Sequence, residues 1–251
     1  MEMNLEAPES LNQFTHAMFV LLWGQDRPAV LTVVDQAYEW IWRQQIVLAG
    51  KTPRRLSDIA IAAELRISRT PVRQALDRLA QEGLVHFDPR RGFWTHVYTA
   101  EDVEEIYQIR EATEVLALRL AAPRLKQAEL ENHLKTLLDI RATLPNPHYG
   151  DFLEADIRLH NYLIHNCGNE RLIRLLSALR SQLALFQVRD TPYPDRIAIA
   201  LDDHERFIRA LLDHDTESAA RMLGLHIQNA KEGVLTDMFP EYYNPKMAVS
   251  R

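Results

Sequence analysis

Leu65-Arg66-Ile67-Ser68-Arg69-Thr70-Pro71-Val72-Arg73-Gln74-Ala75-Leu76 reads as a tight turn followed by the start of a helix. Ser68 is a good N-cap residue, because a serine hydroxyl can accept a backbone N–H that the first helical turn leaves unpaired. Pro71 falls in that first turn, where a missing N–H costs nothing. Val72, Ala75, Leu76 and Leu79 recur at helical spacing and form one apolar face, and Gly83 ends the run. Just upstream, Ser57 caps a shorter helix predicted to reach about Leu65, with Arg66-Ile67 as the turn between the two. Two short helices joined by a tight turn, the second one basic, make a helix-turn-helix. In that geometry the N-terminal residues of the second helix meet base edges and phosphates. Here they are Ser68, Arg69, Thr70, Arg73 and Gln74. Arginine offers a bidentate fork to guanine, and serine and threonine hydroxyls suit phosphate oxygens.

Working outward, Val30 to Leu48 carries apolar residues at helical spacing and is stopped by Gly50 and Pro53. On the other side, Leu84-Val85-His86-Phe87 and Phe93-Trp94-Thr95-His96-Val97 are β-prone runs around Asp88-Pro89-Arg90-Arg91-Gly92, which predicts a hairpin. Such a hairpin is a wing, with Arg90 and Arg91 at its tip and Gly92 permitting the tight backbone. Thr99-Ala100-Glu101-Asp102 is a capping-box variant. Beyond it the pattern is helical throughout, with helices near 100–122, 126–143, 150–166, 169–189, 194–213 and 216–236. The predicted fold is therefore mainly α. A winged helix-turn-helix (three helices plus a small β-hairpin) over residues 29–98 is followed by an all-α helical bundle over 99–236. Residues 1–28 form an N-terminal extension in which Phe14 to Trp23 is apolar enough for a short helix, and 237–251 form a tail.

The net charge of −6 is unevenly spread. Residues 51–95 hold nine basic and five acidic side chains, whereas the first fifty residues hold two basic and six acidic ones. Positive charge thus gathers where a nucleic-acid contact needs it. A single cysteine, Cys167, excludes an intrachain disulfide framework. The acidic start lacks the basic residues of a signal peptide. No apolar run is long enough to span a bilayer. The expectation is a cytoplasmic protein with no membrane partner.

Ten histidines are present, and four acceptors stand out. Asp156 and His160 are four apart and share a helix face. His204 and His226 lie on two further predicted helices. Three helices can aim these four side chains at one interior point. One carboxylate and three imidazoles suit Zn, Ni, Fe or Mn and leave coordination positions open. Read alone, the four residues are also compatible with separate surface or capping histidines.

The segment 65–76, with Leu79, Glu82-Gly83-Leu84-Val85 and Arg91-Gly92, resembles the GntR family of regulators. The resemblance implies that Arg69, Thr70 and Arg73 contact DNA and that the wing glycine lies close to it. The chain departs from the family pattern in Asp58-Ile59-Ala60, where Arg55 or Arg54 would take over a contact, and in Arg66, where a glycine is usual. Residues 100–236, with Tyr107-Gln108-Ile109-Arg110-Glu111-Ala112, Asp156-x-x-x-His160, Gly168-Asn169, His204 and His226, resemble the FCD ligand-binding domain of the FadR-like branch. That resemblance implies a divalent metal ion (Zn, Ni or Mn) held by the four acceptors. A small organic acid would dock beside it, with Arg110 anchoring the carboxylate; a surface salt bridge from Arg110 to Glu111, Glu114 or a neighbouring helix is the alternative. The function expected is a ligand-responsive transcription regulator and repressor, acting as a homodimer on a palindromic double-stranded operator. A constitutive DNA-binding protein with a structural metal, and a metalloenzyme, are the competing readings. The absence of a nucleophile motif or a separate acid–base pair argues against the enzyme.

Overall fold

The computed structural model describes residues 31–47, 52–189 and 194–243. The helix expected within Phe14–Trp23, and the N-terminal extension, lie outside the described residues.

Helix α1 (Val33–Ile41) opens on Thr32, whose hydroxyl and the Asp35 carboxylate form a reciprocal capping box. The single helix expected over 30–48 changes pitch at Trp42, and Trp42–Val47 is π-helical. A widened turn keeps residues four apart on one side, so Trp42 and Ile46 are both buried and the apolar spacing cannot distinguish the two. A two-residue strand, β1 (Arg55–Leu56), follows. Alternation cannot show in two residues, and the sequence reading missed it. Helix α2 (Asp58–Leu65) is capped by Ser57 on the Ala60 amide. Its C-cap, Arg66, sits at φ 55°, ψ 40°. That left-handed conformation is the reason glycine is favoured in such turns, and a side chain there costs about 1–2 kcal/mol.

Helix α3 (Arg69–Gln81) buries Val72, Ala75, Leu76 and Leu79, the face read from spacing. Ser68 stands at its N-cap but makes no capping bond, contrary to expectation, and it is exposed. Strands β2 (Val85–Asp88) and β3 (Gly92–Thr95) pair antiparallel, with Val85 opposite Thr95 and Asp88 opposite Gly92. Strand β1 adds to the other edge of β3, giving the order β1-β3-β2. The Asp88 carboxylate accepts from the Arg90 and Arg91 amides and so shapes the wing turn. Gly92 takes φ 84° there.

The helical half comprises α4 (Ala100–Ala121), α5 (Gln127–Arg141), α6 (Tyr149–Asn166), α7 (Glu170–Arg189), α8 (Pro194–Leu212), α9 (Thr216–Met238) and the short α10 (Pro240–Tyr243). These match the expected spans to within two residues at most ends; α9 runs two residues past the expected stop and α10 lies in the expected tail. Thr99 and Asp102 form the capping box on α4. Helix α4 packs against α6, α7 and α9, and α8 against α5 and α9. No helix among the described residues is long and apolar enough to cross a membrane.

Helix α7 also touches the N-terminal half. The Ser181 hydroxyl donates to Glu82 Oε2 at 2.7 Å, and Gln182 Nε2 donates to the Glu82 carbonyl at 2.8 Å. Tyr38 donates to the same carboxylate, and burial together with the Glu82 charge holds its phenol well above the usual range, hence protonated. Phe186 packs edge-on against Tyr98, whose hydroxyl donates to the Gly83 carbonyl.

Candidate functional sites

The candidate nucleic-acid interface is the exposed side of α3 with the wing beside it. Burial of its apolar face leaves Arg69, Thr70, Arg73 and Gln74 exposed. Arg55 on the sheet edge and Arg91 at the wing tip are exposed too, and Gly92 is half-buried. Arg69 pairs with Asp58 at 2.9 Å across the helix-turn-helix. That hydrogen bond is the chief reason the Asp58 carboxyl lies below its usual range. The Asp58 that breaks the family pattern therefore braces a predicted DNA-contacting arginine, a role the sequence did not suggest. An ideal Cβ at Gly92 would meet nothing within 4 Å, so the positive φ is what requires glycine.

The candidate metal centre lies inside the helical half. Asp156 and His160 project from α6, His204 from α8 and His226 from α9. All four are buried, His204 completely. One acceptor atom from each lies within 4.8 Å of the others. His204 Nε2 is 3.2 Å from Asp156 Oδ1 without hydrogen-bond alignment, and His160 Nε2 is 3.8 Å from the same oxygen. Nε2 of His160, both nitrogens of His204 and Nδ1 of His226 are buried without a hydrogen-bond partner. Buried polar atoms are rarely left so, and several converging on one carboxylate oxygen fit a cation.

Protonation favours the same reading. Burial lowers His204 and, more strongly, His226, keeping both imidazoles neutral with lone pairs to offer. Burial alone would raise the Asp156 carboxyl, but His204, His160 and His226 outweigh it and hold it far below the usual range. The support lies one layer out. Glu114 Oε2 stands 2.5 Å from His160 Nδ1, which leaves Nε2 facing inward. Arg110 donates to the other Glu114 oxygen at 2.8 Å. Burial raises Glu114, yet Arg110 and His160 bring it down to about 2. Gln187 donates to Asp156 Oδ2 at 3.0 Å, turning Oδ1 toward the histidines. Asn229 donates to Asp203, whose carboxylate lies 3.9 Å from His226 Nδ1.

A cavity of about 340 Å³ opens beside this cluster, with Asp156, His226 and Arg110 in its wall. Arg110 is therefore both ion-paired to Glu114 and part of the cavity wall, and the pair is buried rather than on the surface as the sequence alternative has it. Glu114 was legible as the i+4 partner of Arg110. Gln187, Asp203 and Asn229 were not, since an amide or carboxylate on a helix carries no motif.

Comparison with known proteins gives two family matches. The family described as bacterial regulatory proteins, gntR family, matches residues 33–94, and the FCD domain matches residues 105–229. The Nta operon transcriptional regulator of Aminobacter aminovorans is 26% identical, over 72% of this chain and 84% of its own. The HTH-type transcriptional repressor RspR of Escherichia coli is 25% identical, over 80% and 89%. Among solved structures, Escherichia coli McbR/YncC superposes with a TM-score of 0.66 at 20% identity, over 86% of this chain and all of its own. A GntR regulator from Rhodococcus superposes with a TM-score of 0.62 at 23% identity, over 80% and 97%.

Proposed function

The chain is a transcriptional regulator of the gntR family with an FCD domain, not an enzyme, and from that premise we propose that it is a metal-dependent sensor of a small carboxylic acid that represses from a palindromic operator. The observation that carries the sensing part is the convergence of four buried acceptors from three helices, with four of their imidazole nitrogens lacking a hydrogen-bond partner. Asp156, His160, His204 and His226 would hold one divalent ion, Zn, Ni or Mn. The ion supplies a Lewis-acidic anchor for a carboxylate oxygen. Arg110, set in the cavity wall and held by Glu114, adds the positive charge that orients that carboxylate. Arg69, Arg73 and Gln74 read base edges, while Arg55, Ser68, Thr70, Arg91 and the backbone at Gly92 meet phosphates. A homodimer matches the two-fold symmetry of the operator, and a DNA-bound role is the ground for expecting the protein in the cytoplasm. Repression follows the direction named for the relative RspR, with effector binding favouring the conformation that releases DNA.

Elemental analysis after dialysis, paired with operator titrations, tests this. Wild type is expected to hold one divalent ion per chain. His204→Ala should lose it, together with the stability a native-state ligand adds, and should bind operator whether or not acid is present. Wild type that stays metal-free after incubation with Zn, Ni and Mn would end the proposal. An operator affinity that no acid alters would leave a constitutive binder with a structural metal.

A further inference from the structure

The cavity beside the metal cluster is longer and more apolar than a short acid requires. On α6, Asp156 is followed away from the cluster by Phe152 and Tyr149, and on α8 Asp203 is followed by Ala200 and Arg196. Seven residues at 1.5 Å each carry both walls about 10 Å from the metal layer. Helix α9 runs the opposite way and lines the same path from His226 past Ala230 to Thr236. The volume, about 340 Å³, lies in the range of roughly 300–1,000 Å³ typical of sites for drug-sized ligands. A two- or three-carbon acid would leave most of it unfilled.

Four polar side chains along this path already serve protein partners, and the exposed Glu232 carboxylate lines it as well. Gln187 donates to Asp156, Asn229 to Asp203, Arg196 to Asp237 at 2.9 Å, and the Tyr149 hydroxyl to the Gln187 carbonyl at 2.8 Å. A polyhydroxylated acid would have to break these pairs to satisfy its own hydroxyls, and each unsatisfied buried group opposes binding. A hydrocarbon body meets Phe152, Ile197, Ala200 and Ala230 with nothing to displace. The unpaired buried nitrogens lie at the metal end, where one carboxylate is wanted.

We infer that the effector is an elongated monocarboxylate, with its carboxylate at the cluster and an unbranched alkyl or aryl-alkyl body of about 10 Å along α6, α8 and α9. The inference rests on the carboxylate-sensor reading above and specifies its ligand class. The test is calorimetric titration of zinc-loaded full-length protein with butanoate, hexanoate, octanoate and 3-phenylpropanoate, and with citrate and gluconate as hydroxylated acids. Affinity should rise about fourfold per added methylene, the factor for burying one such group, and level off near eight carbons. Ala200→Leu, which narrows the path midway, should lower octanoate affinity at least tenfold and leave butanoate unchanged at wild-type metal content. A flat chain-length series in wild type, or citrate or gluconate binding as tightly as octanoate, overturns the elongated apolar ligand while the carboxylate site stands. If no acid binds the metal-loaded protein, the sensor reading falls and the inference with it.

Discussion

In the reading head, Arg69, Thr70, Arg73 and Gln74 follow one another on a single short helix with their side chains in solvent. In the helical half, Asp156, His160, His204 and His226 come from three helices spread over seventy residues, and water scarcely reaches them. Exposed side chains act without much influence on folding, since a surface ion pair such as Asp58–Arg69 contributes about 0–1 kcal/mol. Buried ones cannot be separated from it. Each of their charges must be matched, and the chain Arg110–Glu114–His160 does this around the cluster. The contrast predicts that the protein will tolerate change at one candidate surface and resist it at the other.

The sharpest way to break that contrast is Glu114→Gln. It leaves Arg110 buried without its counter-charge and His160 without its carboxylate. Stability should fall by about 3–5 kcal/mol and metal affinity by roughly 10–100-fold, read by thermal unfolding and a competitive metal titration. A melting temperature equal to wild type would show that the buried network is not structurally committed. Arg73→Ala is the opposite case. Operator affinity should drop by about 1–3 kcal/mol with stability unchanged to about 0.5 kcal/mol; an anisotropy titration that finds wild-type affinity would remove α3 as the reader. Gln182→Ala lies on the contact between the halves. Losing its bond to the Glu82 carbonyl should cost about 1 kcal/mol, seen as a lower denaturation midpoint. The smallest effect is expected at Arg66, where glycine relieves the left-handed strain but gains freedom in the unfolded chain. Arg66→Gly should stabilise by about 0.5 kcal/mol net, measurable by chemical denaturation, and a loss of stability would contradict the strain.

The contrast also explains what could be read from the chain. The α3 residues are contiguous, so helical spacing and the Ser68–Arg73 run sufficed to set them on one helix, although the expected Ser68 capping bond is not formed. The helix spans of the second half followed from periodicity and from the capping box at Thr99. The metal-site candidates needed the i,i+4 pair together with the family resemblance, because nothing local in sequence tells His204 from a solvated histidine such as His148. The supporting residues were beyond reach. Gln187 matters only because α7 passes Asp156, and Asp58 only because the turn brings it against Arg69. Strand β1 is too short for alternation to register, and the change of pitch at Trp42 leaves the buried spacing intact.

Within two turns, helix α7 holds Ser181 and Gln182 against Glu82, Phe186 against Tyr98, and Gln187 against Asp156. A single helix therefore touches both the C-terminal end of the helix that would read DNA and a carboxylate of the site where an acid would be sensed. Binding free energies coupled through such an element are reciprocal. If the acid loosens the grip on operator by a given factor, operator must weaken the protein's affinity for the acid by that same factor. Regulator already seated on its operator is then a poorer detector than regulator free in solution. The threshold at which a gene responds would depend on how many copies of the protein are off the DNA, as well as on how much acid is present.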